Sequence, residues 1–344
     1  MKHEIIEKAG VDAHAYISRF VELDDDNTLV LSTTNSFNLL NHGKKVTSVV
    51  NFSKVNNIRY INKFFEAVNN QLELGRIYVG CFETFTAKRR RHWMGRAPFF
   101  RTIYSLVEFI FHRVFPKLWG FKKIYFAFTR GRNRLLSKAE VLGRLVCCGF
   151  EIIEYNEINR RIYFVVKKSG PPVFDMKPSY GPIYKMPRIG KNGKIILVYK
   201  FRTMHPYSEY LQDYVLNRHG YAQSGKPAND FRLTPWGKFL RRYWLDELPQ
   251  VLNILKGEMK LVGIRPVSER YLQDIPDDLK VLRLSQKPGC IPPYVALNKA
   301  SDVYSVQHAE RIYLEEKIKR PYTTDMRYLF KAIYVIVFRK KRSA

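Results

Sequence analysis

Cysteine is scarce in this chain, and acid is in short supply. Only Cys81, Cys147, Cys148 and Cys290 occur in 344 residues. They form no Cys-x-x-Cys pair and no metal-ligand spacing, which excludes a disulfide scaffold or zinc module and fits reduced thiols in a cytosolic environment. Vicinal Cys147 and Cys148 read as small core residues of a helix. No apolar run approaches the roughly 18 residues of a conventional membrane span. The opening Met1-Lys2-His3-Glu4 lacks an apolar signal core, so no secretory leader is expected. Low-complexity tracts are absent too, which argues against wholesale disorder.

What the chain has in excess is positive charge. Against 31 Asp+Glu stand 59 Lys+Arg, a net charge of +28. An anionic partner follows: nucleic acid, an anionic membrane surface or a phosphorylated small molecule. The 22 Tyr and 23 Phe suit base stacking and membrane interfaces alike and do not separate these. No recognised nucleic-acid module appears, so nucleic acid is not expected as the partner. A hydrophobic content of 46% supports packed cores, and the length predicts two domains.

Residues 1–168 read as an α/β domain. Thr28–Ser32, Val46–Val50 and Ile77–Phe82 are short apolar runs of strand type. Ile58–Leu74 has helical spacing and reaches Gly75, a candidate C′ glycine. Ser137 opens a helix ending at Gly149, and two strands follow, Phe150–Tyr155 and Arg161–Lys167. Over residues 44–168 this order weakly resembles the C-terminal half of a class I methyltransferase fold. The cofactor-binding glycine-rich loop is absent, so the resemblance implies Rossmann-like architecture without methyl transfer.

An insertion near 88–119 interrupts this domain. Lys88-Arg89-Arg90-Arg91-His92 is a basic run. From Pro98 to Phe115, Arg101, Ser105, Glu108 and His112 form a narrow polar stripe. Phe99, Ile103, Leu106, Val107, Ile110 and Val114 occupy the opposite face, until Pro116 stops the helix. Such a helix either packs into the domain core or lies in a membrane interface with its flanking cations on anionic headgroups.

Residues 169–177, with Ser169-Gly170-Pro171-Pro172, read as a linker to a second domain over 178–344. Lys191-Asn192-Gly193-Lys194 is a hairpin turn whose second strand delivers Lys200-Phe201-Arg202. Thr234-Pro235 is a helix start. The helix carries Arg241 and runs toward Leu245-Asp246-Glu247-Leu248-Pro249-Gln250. Two readings of Asp246-Glu247 stand at this point. Asp246 caps the next helix, with acid in its first turn and an early proline. Alternatively, a carboxylate pair among cations supplies a nucleophile and a metal ligand for phosphate chemistry. The tail, Asp325–Phe338, is a basic amphipathic pattern ending in Arg339-Lys340-Lys341-Arg342. Val335 and Phe338 are expected on its membrane face.

Taken in order, Tyr199–Met204, Asp230–Arg241, Leu245–Gln250, Asn253–Met259 and Leu261–Pro266 resemble the bacterial sugar transferases, monotopic phosphoglycosyl transferases, over residues 178–340. The resemblance implies an α+β domain with membrane-associated helices at the cytoplasmic face of the bacterial inner membrane. It implies transfer of a sugar-1-phosphate from a nucleotide-diphosphate sugar, such as a UDP-sugar, to polyprenol phosphate, initiating surface-glycan synthesis. Asp246 is then the nucleophile that forms a covalent phosphosugar, and Glu247 its Mg2+-linked partner. Lys200, Arg202, Arg241, Arg265, Pro266 and Arg283 map onto substrate-binding positions. Downstream glycosyltransferases or a second copy are further expected partners. A catalytically altered member that binds nucleotide sugar as a scaffold is the alternative.

The sequence departs from the family pattern where a re-entrant apolar hairpin usually precedes the domain. Lys167–Lys177 cannot enter a bilayer there as a helix. The expectation is that 98–115 and 325–338 replace it as an interfacial anchor.

Overall fold

The computed structural model describes residues 10–40, 46–91, 93–97, 100–117, 120–174, 181–220 and 229–341. The chain divides into two compact units, Met1–Tyr180 with His205–Arg218, and Gly181–Met204 with His219–Ala344. Among the described residues no helix is long and apolar enough to cross a membrane.

The first unit is built on a five-stranded sheet in the order β1-β2-β3-β5-β4. Its strands are Thr28–Leu31, Val46–Lys54, Leu72–Phe82, Phe150–Ile158 and Arg161–Lys168. β1, β2 and β3 pair in parallel, while β5 runs antiparallel to both β3 and β4. Alternation along the strands divides the apolar residues between two faces. Val50, Phe52, Val79, Cys81, Tyr163 and Val165 pack against the helix Val11–Ile17. On the other face Tyr78 and Phe164 meet Phe65 of the helix Ile61–Gln71, at centroid distances of 6.0 and 6.4 Å.

Ser137 caps the helix Lys138–Cys147 by accepting the Glu140 N–H at 3.1 Å, as its sequence predicts. Cys147 and Cys148 are buried, in keeping with small core residues. Gly75 departs from expectation. The helix stops at Gln71, and Leu72 turns extended to pair with Val46. Gly75 therefore lies inside β3 at φ 80°, beside a register shift, and is not a helix terminus. The apolar side chain of Leu72 fits either pattern, and strand pairing claimed it.

The segment Ser208–His219 follows the strand Ile195–Phe201 in sequence but opens with residues that belong to the first unit. Tyr207 is buried beneath the Arg144 guanidinium, 4.4 Å from its ring, and its hydroxyl accepts from Asn62 at 2.9 Å.

In the second unit β6 (Ile183–Ile189) and β7 (Ile195–Phe201) form the expected antiparallel hairpin. Asn192 and Gly193 turn it, both at positive φ. β8 (Lys260–Val262) and β9 (Gly289–Ile291) pair in parallel. A core of Val262, Ile264, Leu279, Tyr313, Tyr328 and Ala332 joins these strands to the helices Asp277–Leu284, Val303–Lys319 and Thr324–Val337. Val335, expected on a membrane face, is instead buried, because it follows Tyr328 and Ala332 at helical spacing on the inward side. Phe338 is exposed, together with Phe330, Ile333, Tyr334 and Val337. Phe99 lies outside the described residues, whereas Ile103, Val107 and Ile110 are all exposed.

Candidate active site

The site begins with how β7 ends. Ile196, Val198 and Lys200 alternate onto one face, where Ile196 and Val198 pack on Met259. Lys200 continues that row and donates to Glu247 Oε1 at 2.6 Å. The turn carrying Glu247 is pinned to the strand by Asn253, which is fully buried. Asn253 Oδ1 accepts the Tyr199 N–H at 3.0 Å. Its Nδ2 donates to Leu197 O and Glu258 Oε2, both at 2.7 Å.

Upstream, Thr234 caps the helix Pro235–Arg242 by accepting the Gly237 N–H at 3.0 Å, and donates to Thr203 O at 2.9 Å. A Cβ at Gly237 would come within 2.1 Å of that same carbonyl oxygen, so only glycine lets the helix approach the strand end so closely. Arg241 then donates to Thr203 Oγ1 at 2.9 Å.

The cap reading of Asp246 is not realised. The helix ends at Arg242, Trp244 adopts a left-handed conformation at φ 56°, and Leu245–Gln250 forms a 3-10 turn before the helix Val251–Leu255. Trp244 occupies the N-terminal flank of that turn, and no side chain caps it. A tryptophan at positive φ costs on the order of 1–2 kcal/mol. Its packing against the core of the unit holds it there.

Asp246 is 8% exposed. Burial raises its pKa, and the Glu247 carboxylate adds to the rise, while Lys200 and Arg241 pull the other way. Burial also draws the Arg241 guanidinium down, opposed by Asp246 and Asp230. Asp230 itself is held low by its bond to buried Arg232, at 2.8 Å, against the rise that burial alone would cause.

Beside this turn opens a cleft of about 150 Å³. Of the residues expected from sequence, Lys200, Glu247, Arg265 and Pro266 line it, with Asp246 directly adjacent in the chain. Arg202 and Arg283 do not. Arg202 donates to Gly181 O at 3.0 Å and stacks 5.1 Å from the Tyr184 ring. Arg283 is buried and bonds the Glu310 carboxylate, while its second nitrogen donates to Arg265 O at 2.7 Å. Glu310 in turn accepts the Arg265 N–H at 3.1 Å. A buried ion pair thus grips both polar groups of the Arg265 peptide. Burial lowers the Arg283 pKa to about 10, so it remains charged at neutral pH.

Sequence reasoning missed Arg188, Trp244, Gln250, Cys290 and Tyr294, which also line the cleft. Arg188 had a usable signal. Its pairing with Ile196 across the hairpin places it on the face that carries Lys200. Burial lowers its pKa, and Arg265 adds to the effect. A Cβ at Gly289 would sit 2.2 Å from the Gly263 nitrogen, so glycine allows β9 to lie against β8. Burial and the Glu247 carboxylate push the Cys290 thiol up to about 12, which leaves it unreactive.

Three cations, Arg188, Lys200 and Arg265, thus face one carboxylate, Glu247, across the cleft. Such a lining favours a ligand with several negative charges. Among the described residues no three His, Cys, Asp or Glu side chains gather into a metal cage. Asp246 and Glu247 are hard oxygen donors on one turn, and Glu247 already holds an ammonium. That set fits a small hard cation completed by phosphate oxygens and water, and does not fit a metal needing three or four protein ligands.

The sequence profile of the family described as "Bacterial sugar transferase" matches residues 173–339. An undecaprenyl-phosphate galactose phosphotransferase of Salmonella typhimurium is 32% identical over 202 residues, which is 57% of this chain and 40% of that protein. A UDP-glucose:undecaprenyl-phosphate glucose-1-phosphate transferase of Escherichia coli is 37% identical over 166 residues, 46% of this chain and 30% of that protein. The exopolysaccharide production protein ExoY of Rhizobium meliloti is 36% identical over 153 residues, 42% of this chain and 66% of that protein. The chain therefore spans well under half the length of the first two of these relatives. Residues 173–339 thus carry this chain's similarity to the bacterial sugar transferase family.

Proposed function

We propose that this protein transfers a sugar-1-phosphate from a nucleotide-diphosphate sugar to polyprenol phosphate. The observation that carries the reading is the Asp246-Glu247 turn, pinned to Lys200 beside a cleft lined by Arg188 and Arg265. The similar proteins of Salmonella and Escherichia coli, named for sugar-phosphate transfer to undecaprenyl phosphate, support the substrate class.

In the first half-reaction an Asp246 carboxylate oxygen attacks the phosphorus that bears the sugar. The bond to the bridging oxygen breaks, and the nucleoside monophosphate leaves with that oxygen. In the second half-reaction a polyprenol phosphate oxygen attacks the same phosphorus and releases Asp246 as a carboxylate. Covalent storage lets a water-soluble donor depart before a lipid acceptor arrives. Lys200, Arg188 and Arg265 bind and orient the diphosphate, whose charge must be neutralised in the transition state. Lys200 and Arg241 oppose the rise that burial gives the Asp246 pKa. Mg2+ held by Glu247 and Asp246 would supply further neutralisation of phosphate charge.

The reaction takes place at the cytoplasmic face of the membrane, where donor and acceptor meet. We read the first unit as Rossmann-like, a reading supported by three parallel strands followed by an antiparallel hairpin. The test is incubation with a panel of labelled nucleotide sugars, Mg2+ and polyprenol phosphate. Lipid-soluble product and its loss in Asp246→Asn are expected. Unchanged turnover in that variant would refute the nucleophile assignment.

A further inference from the structure

The insertion in the first unit is amphipathic in the reverse of the globular sense. In the helix Arg101–Phe109 and the wider turn Ile110–Val114 that continues it, Tyr104, Glu108, His112 and Arg113 point inward. Tyr104 is buried, and Glu108 bonds Lys88 at 2.7 Å with both side chains largely shielded. His112 bonds the buried Tyr125 hydroxyl at 3.1 Å, and Arg113 reaches Glu140 at 2.5 Å. The apolar residues point out. Ile103, Leu106 and Val107 are 60, 58 and 59% exposed, and Ile110 and Phe111 share their face. The next helix, Phe121–Thr129, repeats this with Phe121, Ile124 and Phe128 exposed around buried Tyr125.

An apolar face of this extent on consecutive helices marks a docking surface. Its charge selects the occupant. Residues 85–134 contain 13 Lys and Arg and one acid, Glu108, which is turned inward onto Lys88. Arg101, Lys122, Lys123, Arg130 and Arg132 are exposed around the apolar side chains. A second copy would bring the same cations against themselves, at a repulsive cost. A bilayer interface with anionic headgroups satisfies both features, since acyl chains cover the apolar residues while phosphates meet the cations.

We propose that the helical segments Arg101–Val114 and Phe121–Thr129 form an interfacial docking surface for an anionic lipid bilayer. The surface lies outside the sugar transferase segment, and the proposal stands whether or not the transfer reading holds. The full chain is to be mixed with phosphatidylcholine vesicles with and without phosphatidylglycerol. Co-sedimentation and backbone hydrogen exchange are then read together, which makes the result local to these segments. Anionic vesicles should bind the protein and slow exchange of amides in these segments. The exposed-site triple Ile103→Ser/Val107→Ser/Phe128→Ser should lose that protection and weaken binding about tenfold or more. Lys122→Gln/Lys123→Gln should weaken binding to anionic vesicles by a similar factor and leave zwitterionic vesicles unchanged. Unaltered circular dichroism and melting keep either loss from being one of folding. The proposal is overturned if vesicle-bound protein shows no protection of these segments. It is overturned equally if the triple substitution converts a lipid-free dimer to a monomer, which would make the face a protein interface.

Discussion

Replacing Arg283 with methionine tests the claim that it positions Arg265 from within and does not touch substrate. Arg283 is 4% exposed and Glu310 1%, so solvent screens neither charge. Methionine keeps much of the volume but leaves the Glu310 carboxylate buried with its ion-pair partner gone. Breaking a buried pair from one side costs about 3–5 kcal/mol, a large share of the roughly 5–15 kcal/mol that hold a domain folded. Glu310→Gln removes the charge but keeps an oxygen for the Arg265 N–H, and should cost less, about 1–3 kcal/mol. Arg283→Met/Glu310→Gln removes both charges at once. It should be more stable than Arg283→Met alone, because no uncompensated ion remains. Urea unfolding of the four proteins at equal slope measures this. In a transfer assay at the temperature of full folding, Arg283→Met should raise the donor KM more than it lowers kcat, since Arg265 is displaced without loss of Asp246. A destabilisation under about 1 kcal/mol, or strictly additive effects in the double variant, would refute the clamp.

Three further outcomes follow from the same geometry. Asp246→Asn should melt higher than the parent at neutral pH. Burial raises the folded pKa, so the parent loses stability as pH climbs from the ordinary carboxylate value through the raised one. The gap should close below the ordinary value, and melting curves across acidic pH check both limbs. Asn253→Ala strands the part-buried Tyr199 N–H and Leu197 carbonyl and should cost about 1–3 kcal/mol in denaturant unfolding. Chelation with EDTA should abolish product formation in the transfer assay, and Mg2+ should restore it more fully than Zn2+, as expected for two carboxylates completed by phosphate oxygens.

Much of the frame was legible because local signals and tertiary demands coincide. Thr234-Pro235 predicts a capped helix, and the Thr234 hydroxyl is further fixed by the Thr203 carbonyl. Asn192-Gly193 predicts a hairpin, and the register it sets carries Lys200 onto the cleft face. Where the two compete, reading fails. Asp246 had the composition of a helix cap, but a left-handed Trp244 two residues earlier rerouted the backbone into a 3-10 turn. No propensity favours a tryptophan there; only packing against the core does. Arg283 had the residue type of a phosphate ligand, and nothing in its neighbours reveals that Glu310, 27 residues on, neutralises it. Val335 failed for a third reason. An apolar run of helix allows several choices of inward face, and the neighbouring core decides among them.

The chain's net charge of +28 also resolves into parts with different physical roles. Composition alone could not separate a phosphorylated ligand from a lipid surface, because both attract cations. Exposure separates them. Lys200 and Arg188 are partly buried around one carboxylate in the cleft. Lys122 and Lys123 stand exposed beside apolar side chains, with no acid between residues 109 and 134. A cation held in a partly dry cleft gains its strength from low dielectric and responds weakly to salt. A cation on an exposed helix acts through a screened field and loses its pull within about 10 Å at 0.1 M salt. Raising ionic strength should therefore release the protein from anionic vesicles while leaving donor-dependent labelling of Asp246 nearly unchanged. Parallel loss of both would mean that the two sets of cations serve a single surface.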